Sequence, residues 1–102
     1  MSTLTLDIKF NEEGFLVDAK EWTEDLARYL AEQEGILQLT DRHWDVIRFM
    51  RKEYLENGEV PTIRRLKNAG GIPTKELYEL FPNGPAKKAA RIAGLPKPKG
   101  CV

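Results

Sequence analysis

The chain has 102 residues, of which 41% are hydrophobic and 31% charged, as in one ordinary globular domain. No hydrophobic run approaches the ~20 residues of a membrane-spanning helix, and the first residues lack the basic and hydrophobic segments of an export signal. A single cysteine excludes an internal disulfide, and one cysteine with one histidine cannot build a structural zinc site of the Cys/His type. We therefore predict a cytoplasmic protein without a membrane segment, a metal or another cofactor.

The net charge of zero conceals a division between two parts of the chain. Residues 1–60 contain fourteen acidic and seven basic residues, a net charge of −7, whereas residues 61–102 contain nine basic and two acidic residues, a net charge of +7. A basic end can bind an acidic protein surface or a nucleic acid. The two parts can equally be solvated helix faces that differ in sign, and the sequence leaves both interpretations open.

The amino-terminal residues predict a small β-structure. Residues 4–10 alternate between hydrophobic and polar side chains, as a half-buried strand does. Residues 11–14 offer a turn, and residues 15–17 a returning strand. We therefore expect a β-hairpin or meander packed on helices.

Two longer helices are predicted next. Thr23 is a good N-cap for a helix with one hydrophobic stripe, which stops at Gly35. The longest helix should run from its N-cap Thr40 to Gly58. Its hydrophobic residues cover so much of the circumference that they indicate a central core helix and not a cofactor site; they are Trp44, Val46, Ile47, Phe49, Met50, Tyr54 and Leu55.

Residues 61–69 and 73–81 predict two short helices around a Gly-Gly-Ile-Pro turn, so a basic helix–turn–helix-like part spans about 61–82. Gly84 and Pro85 suit the N-cap and first position of a last helix, and Gly94 suits its end.

The remaining residues predict an arm. Residues 95–102 contain two prolines, one glycine and little hydrophobic area, so they cannot fold alone. We expect one globular domain over residues 1–94, of the α+β class, mostly helical with about five helices. The flexible arm over residues 95–102 would let Cys101 reach about 20 Å beyond the body.

Cys101 has the strongest chemical argument of any residue. Free cysteines in folded proteins are usually buried and inert, but this one lies one residue from the end of a polar tail. Lys97 and Lys99 should favour its thiolate, whereas the carboxylate of Val102 opposes it. An exposed thiolate can carry a reversible persulfide. A functional thiol is therefore favoured over an accidental one.

His43 lies in the first turn of the longest predicted helix. We expect it to be a surface or helix-start histidine. The less favoured interpretation pairs it with Cys101 to activate the thiol, which needs a geometry that a mobile arm does not guarantee.

The carboxy-terminal sequence resembles the DsrC/TusE family of small sulfur-relay proteins. The similar stretches are Phe-Pro-Asn-Gly-Pro-Ala-Lys at residues 81–87 and Gly-Leu-Pro-Lys-Pro-Lys-Gly-Cys at residues 94–101. Weaker similarity lies in residues 13–16 with Trp22, in residues 39–49 and in residues 78–82. The resemblance covers most of the chain, and it implies a small β-meander or hairpin on an array of helices.

The resemblance also implies a function. The family's penultimate cysteine carries sulfur, which assigns that role to Cys101, and the members that serve dissimilatory sulfite reductase have a second cysteine where this chain has Ala90. The chain therefore resembles the single-cysteine TusE-like type, which takes persulfide sulfur from a TusBCD/DsrEFH-like donor and passes it towards a thiouridylase that makes 2-thiouridine at the tRNA wobble position. Familiar members have a longer insertion where residues 68–77 are short, which leaves the donor and acceptor open.

Under this hypothesis we expect a persulfide carrier of the sulfurtransferase relay type and not a classical enzyme. We expect it to be a monomer when free and to meet tRNA only indirectly. The residues expected to present the thiol are Gly94, Leu95, Pro96, Lys97, Pro98 and Gly100. The basic residues expected to attract partners or tRNA are Lys87, Lys88, Arg91, Lys97 and Lys99.

Three alternatives stay open at this point. Sulfur trafficking in oxidative or dissimilatory metabolism would use the same thiol. A helix–turn–helix module could bind nucleic acid, although the outward residues of its second helix include two acids, Glu76 and Glu79. An adaptor could dock its tail in a partner without any chemistry at Cys101.

Overall fold

The computed structural model describes residues 8–98 and contains, over that range, five α-helices. The helices are α1 (Glu24–Gln33), α2 (Asp41–Asn57), α3 (Ile63–Asn68), α4 (Thr74–Leu80) and α5 (Pro85–Ile92). A short 3₁₀ helix, Ala19–Glu21, precedes α1 and was not predicted. The mostly helical fold with five helices is confirmed. Within the described range, no helix is both long enough and hydrophobic enough to cross a membrane.

The helices begin and end where the sequence predicts. The hydroxyls of Thr23, Thr40 and Thr62 each accept a hydrogen bond from a backbone N–H in the first turn of α1, α2 and α3. Gly58 ends α2 in the left-handed conformation, at φ +77°. These local signals fix the helix boundaries independently of packing.

Helix α5 packs against three of the other helices. It contacts α1, α2 and α4, and its small residues Ala86, Ala89 and Ala90 are fully buried, which lets neighbouring helices approach closely. The predicted stripe of α1 is buried throughout, as are Val46, Ile47 and Met50 of α2. The prediction that Leu55 belongs to the buried face of α2 is wrong, because its side chain is 64% exposed.

The predicted β-hairpin is not supported by the described residues. Most of the first predicted strand lies in residues 1–7, outside the described range. Over residues 8–98 the only β-pairing is one isolated antiparallel bridge between Phe10 and Leu16, around the predicted turn. Phe15 and Leu16 are both buried, so the alternation that a half-buried strand requires is lost, and the 3₁₀ helix follows at once.

The predicted helix–turn–helix-like part is tied to α2. Leu66 of α3 and Leu77 of α4 are fully buried. Arg42 of α2 donates two hydrogen bonds to the Glu76 carboxylate, from Nε at 2.8 Å and from the NH2 nitrogen at 3.0 Å. These bonds hold the pKa of Glu76 below its ordinary value. One acidic residue of α4 is therefore used to fix the helix to the body.

This ion pair predicts a pH dependence of stability. The pKa of Glu76 is lower in the folded chain than its ordinary value of 4.5, so the stabilisation is present above that value and is lost as the pH falls through the lower, folded pKa. We expect Glu76→Gln to lower the free energy of unfolding at pH 7 and to make its acid dependence shallower. Urea unfolding at pH 7 and at pH 3 measures both effects.

The matched control is Glu79→Gln on the exposed side of the same helix. It should change the free energy of unfolding by less than about 0.5 kcal/mol at either pH. Equal pH dependence of Glu76→Gln and wild type would contradict the assigned role of the ion pair.

Candidate functional site at the origin of the arm

Cys101 lies outside the described residues, as do Lys99 and Gly100, so their predicted roles stay predictions. The structure does describe the residues that precede positions 99–102. The candidate site is therefore built from the end of α5 and from residues 94–98.

Helix α5 ends in a Schellman motif. The N–H of Gly94 donates to the carbonyl of Arg91 at 3.1 Å, and the N–H of Leu95 donates to the carbonyl of Ala90 at 2.9 Å. Gly94 takes the left-handed conformation that this motif requires, at φ +72°. The motif turns the chain back onto the body, and Leu95 becomes fully buried.

The start of the predicted arm is therefore partly packed on the body. Leu95 belongs to the hydrophobic core, and Pro98 is also buried, although Pro96 and Lys97 are exposed. The sequence suggested little hydrophobic burial here because it does not reveal that a single leucine returns to the core. Since Cys101 is three residues beyond Pro98, it can lie at most about 10 Å from that residue, about half the predicted reach.

Two side chains hold the last carbonyl groups of α5. The indole Nε1 of Trp22 donates to the carbonyl of Ile92 at 2.8 Å, and the Arg51 guanidinium donates to the carbonyl of Ala93 at 2.8 Å. A second nitrogen of Arg51 donates to the carbonyl of Ala19 at 3.2 Å. The guanidinium also lies over the Trp22 ring, 4.3 Å from its centroid.

We call Trp22, Arg51 and Gly94 the arm anchor. An ideal Cβ at Gly94 would lie 2.5 Å from Cδ1 of Trp22, so the indole packs directly on the glycine. Burial lowers the pKa of Arg51, but the guanidinium keeps its charge. Gly94, one of the residues expected to present the thiol, is thus packed against the Trp22 indole.

Arg91 is used inside the molecule. It forms an ion pair with Glu34, the residue that caps the end of α1, and its Nε donates to the carbonyl of Gly14 at 2.9 Å. It thereby fastens the first turn of the chain and the end of α1 to α5. The prediction that Arg91 attracts partners is not favoured by these contacts.

The other predicted basic residues differ in their surroundings. Lys97 pairs with Glu13 at 3.1 Å, and both side chains are about half exposed, so this pair is weak and easily broken. Lys87 is exposed and Lys88 half-buried, and both line a depression of about 270 Å³ beside Arg91. Attraction of partners by these lysines stays a prediction.

His43 is a helix-start histidine, as predicted, but it is only 7% exposed and not at the surface. Its Nδ1 accepts a hydrogen bond from the N–H of Thr40 at 3.0 Å, while Nε2 lies 2.9 Å from the carbonyl of Leu80. The carbonyl needs a donor, so Nε2 carries the proton in this arrangement. Both ring nitrogens are thus occupied by structural hydrogen bonds, which disfavours the pairing with Cys101.

Neither Trp22 nor Arg51 is predicted as a site residue from the sequence, although one signal for Arg51 is present. Arg51 lies four residues after Ile47 and seven after Trp44, on the hydrophobic face of α2. A cation on a buried helix face needs an internal acceptor. Trp22 has no such signal, since its partner carbonyl is 70 residues away in the chain.

The chain matches the family described as DsrC like protein over residues 3–102. It is 46% identical to the Sulfurtransferase TusE of Escherichia coli (strain K12), with 94% of each chain covered. It is 44% identical to the dissimilatory-type sulfite reductase subunit gamma of Nitratidesulfovibrio vulgaris, covering 90% of this chain and 88% of that one. The solution structure of Allochromatium vinosum DsrC superposes with a TM-score of 0.82 at 44% identity, covering 93% of this chain and 90% of that chain.

The packing of Gly94 against Trp22 generates a sharp prediction. Gly94→Ala and Gly58→Ala both place a Cβ on a residue with a similar positive φ, +72° and +77°, but the new Cβ at Gly58 meets nothing within 4 Å. We expect Gly58→Ala to cost about 1 kcal/mol of backbone strain. Gly94→Ala should cost about 1–3 kcal/mol more, because the indole must move.

Chemical unfolding of both variants measures this difference. The fluorescence spectrum of Trp22 should also change in Gly94→Ala, because the indole loses its position beside α5. Equal free energies of unfolding for the two variants would show that the indole does not depend on Gly94.

Proposed function

Because the chain belongs to the DsrC family and matches it over residues 3–102, we propose that it is a sulfur-relay protein. It receives sulfane sulfur on Cys101 and passes this sulfur to an acceptor. The observation that carries this proposal is the match over residues 3–102, which includes the penultimate cysteine. The names of the relatives agree with it, since one is a sulfurtransferase and another a subunit of a sulfite reductase.

The proposed step is an exchange between two thiols. The Cys101 thiolate attacks the outer sulfur of a donor persulfide, R–S–SH. A new S–S bond forms on Cys101, the donor S–S bond breaks, and the donor leaves as the thiolate R–S⁻ with the bonding electron pair. The reaction needs no external oxidant or reductant, because one persulfide replaces another. The acceptor is loaded by the same kind of exchange: its thiolate attacks the outer sulfur of the Cys101 persulfide, and Cys101 leaves as a thiolate.

The residue at position 90 supports a single-thiol mechanism. Ala90 occupies the place where sulfite-reductase-associated members have their second cysteine, and in this structure it is fully buried in α5. A cycle that joins two cysteines of one chain is therefore unavailable to this protein. This supports the TusE-like type over the dissimilatory type.

We propose tRNA wobble 2-thiouridine synthesis as the pathway, with a TusBCD/DsrEFH-like donor and a thiouridylase-like acceptor in the cytoplasm. The sequence identity of 46% to the Escherichia coli sulfurtransferase, over 94% of both chains, supports this choice of pathway. Sulfur trafficking in oxidative or dissimilatory metabolism is the second candidate, supported by the similarity to the gamma subunit.

The helix–turn–helix interpretation has little structural support. Glu76 is held by Arg42, and the exposed residues of α4 include Lys75, Tyr78 and Glu79. Helix α4 has only seven residues, and it presents an acidic residue and a fixed ion pair. These features are unsuited to hydrogen bonding with base edges in a DNA groove. We therefore do not favour direct recognition of DNA.

Persulfide loading is the direct test of the carrier function. After incubation with cysteine persulfide, the mass spectrum of the intact protein should show a single adduct of about 32 Da, one sulfur atom. Tryptic peptides should place it on Cys101, and dithiothreitol should remove it. The Cys101→Ser variant is the control and should show none; the absence of an adduct on wild type would end the proposal.

Complementation tests the pathway. An Escherichia coli strain without its own TusE should regain 2-thiouridine in its tRNA when it expresses wild type, but not when it expresses Cys101→Ala. Nucleoside analysis of hydrolysed tRNA by mass spectrometry provides the measurement. Normal function of Cys101→Ala would favour the adaptor alternative, and loading without restored 2-thiouridine would favour a different sulfur pathway.

A further inference from the structure

The arm anchor joins three separate parts of the chain at one point. A single guanidinium, that of Arg51 in α2, donates both to Ala19 in the 3₁₀ helix and to Ala93 at the end of α5. Trp22 lies beneath this guanidinium and donates to Ile92. Of these three carbonyl groups, those of Ile92 and Ala93 belong to the last residues before the chain turns at Gly94.

An arginine is a costly choice for this position if only packing is needed. Burial works against its charged form, which is the cause of its lowered pKa. A leucine or methionine of similar size would fill the space without that cost. What arginine adds is a rigid fork with two directed hydrogen bonds and a planar face for stacking. Direction, and not only volume, is therefore what the anchor supplies.

Under the proposed function, the orientation that these hydrogen bonds give to the end of α5 matters for sulfur transfer. Pro98 is buried, and Cys101 can lie no more than about 10 Å from it. An arm this short reaches only the partner surface that lies in front of its origin. Rotation of the last turn of α5 would therefore change the region that the Cys101 thiol can reach.

Resting on the proposed function, we propose that Arg51 and Trp22 are positioning residues for sulfur transfer to and from protein partners. They fix the end of α5 and so the origin and direction of the arm. Sulfur exchange with a protein whose persulfide is recessed depends on this direction. Exchange with a small persulfide does not, because a small molecule reaches the thiol from any side.

The two kinds of donor provide the kinetic test. The protein donor is a rhodanese-class sulfurtransferase loaded with sulfur from thiosulfate, and the small donor is cysteine persulfide. For Arg51→Lys and Trp22→Phe, kcat/KM with the protein donor should fall about tenfold, mainly through kcat, because the docking surface is intact but the thiol is misdirected. The rate with cysteine persulfide should stay within about twofold of wild type.

The matched control is Arg48→Lys. Arg48 also lies over a tryptophan, 5.6 Å from the centroid of the Trp44 ring, but it is exposed. This substitution should leave both rates unchanged. Thermal unfolding identifies any variant that does not fold, and Trp22→Phe, which keeps the aromatic ring, is the milder of the two anchor substitutions.

A spectroscopic measurement examines the anchor without any sulfur chemistry. Spin labels on Cys101 and on a cysteine introduced by Gln33→Cys at the end of α1 report the distance between arm and body. The distribution of distances should be broader in Arg51→Lys than in wild type, and unchanged in Arg48→Lys.

The outcomes separate the two proposals. If Arg51→Lys and Trp22→Phe match wild type with the protein donor and in the distance distribution, the positioning role is overturned. If wild type accepts sulfur from neither donor, the proposed function fails, and the distance distribution alone then decides whether the anchor orients the arm.

Discussion

The last carbonyl groups of a helix must be hydrogen-bonded from outside the helix, and at α5 this requirement organises the molecule. Part of it is met by the Schellman motif around Gly94, and the rest by Trp22 and Arg51. These two residues come from the segment before α1 and from α2, which are distant in sequence. Satisfying one helix end therefore brings the first, middle and last parts of the chain to a single point.

The charge division of the sequence has a related explanation. Basic residues of the second part pair with acidic residues of the first: Arg65 with Glu53 at 2.8 Å, Arg91 with Glu34, and Lys97 with Glu13 at 3.1 Å. The hydrogen bond from Arg65 also holds the pKa of Glu53 below its ordinary value. Three of the nine basic residues of the second part are thus paired with acidic residues of the first part. Lys87 and Lys88 form none of these pairs and stay candidates for meeting an acidic partner.

The features that the sequence predicted well are those coded by adjacent residues. Thr23, Thr40 and Thr62 start helices because a hydroxyl accepts from an N–H three residues away, and Gly58 ends one because it tolerates a positive φ. The features that were missed depend on distant residues. Nothing local tells that Trp22 bonds to residue 92, or that Leu95 returns to the core.

The burial of Leu95 also changes what a sulfur carrier of this design can do. A long free arm would search a large volume and lose much conformational entropy whenever it docked, at about 1–2 kcal/mol for each residue fixed. Packing Leu95 and Pro98 on the body in advance removes part of that cost but shortens the reach. A partner must then bring its own reacting sulfur atom close to the end of α5. The choice of partner therefore depends more on the surface around the start of the arm than on the arm itself. This is why the residues that hold the end of α5 matter for transfer although none of them carries sulfur.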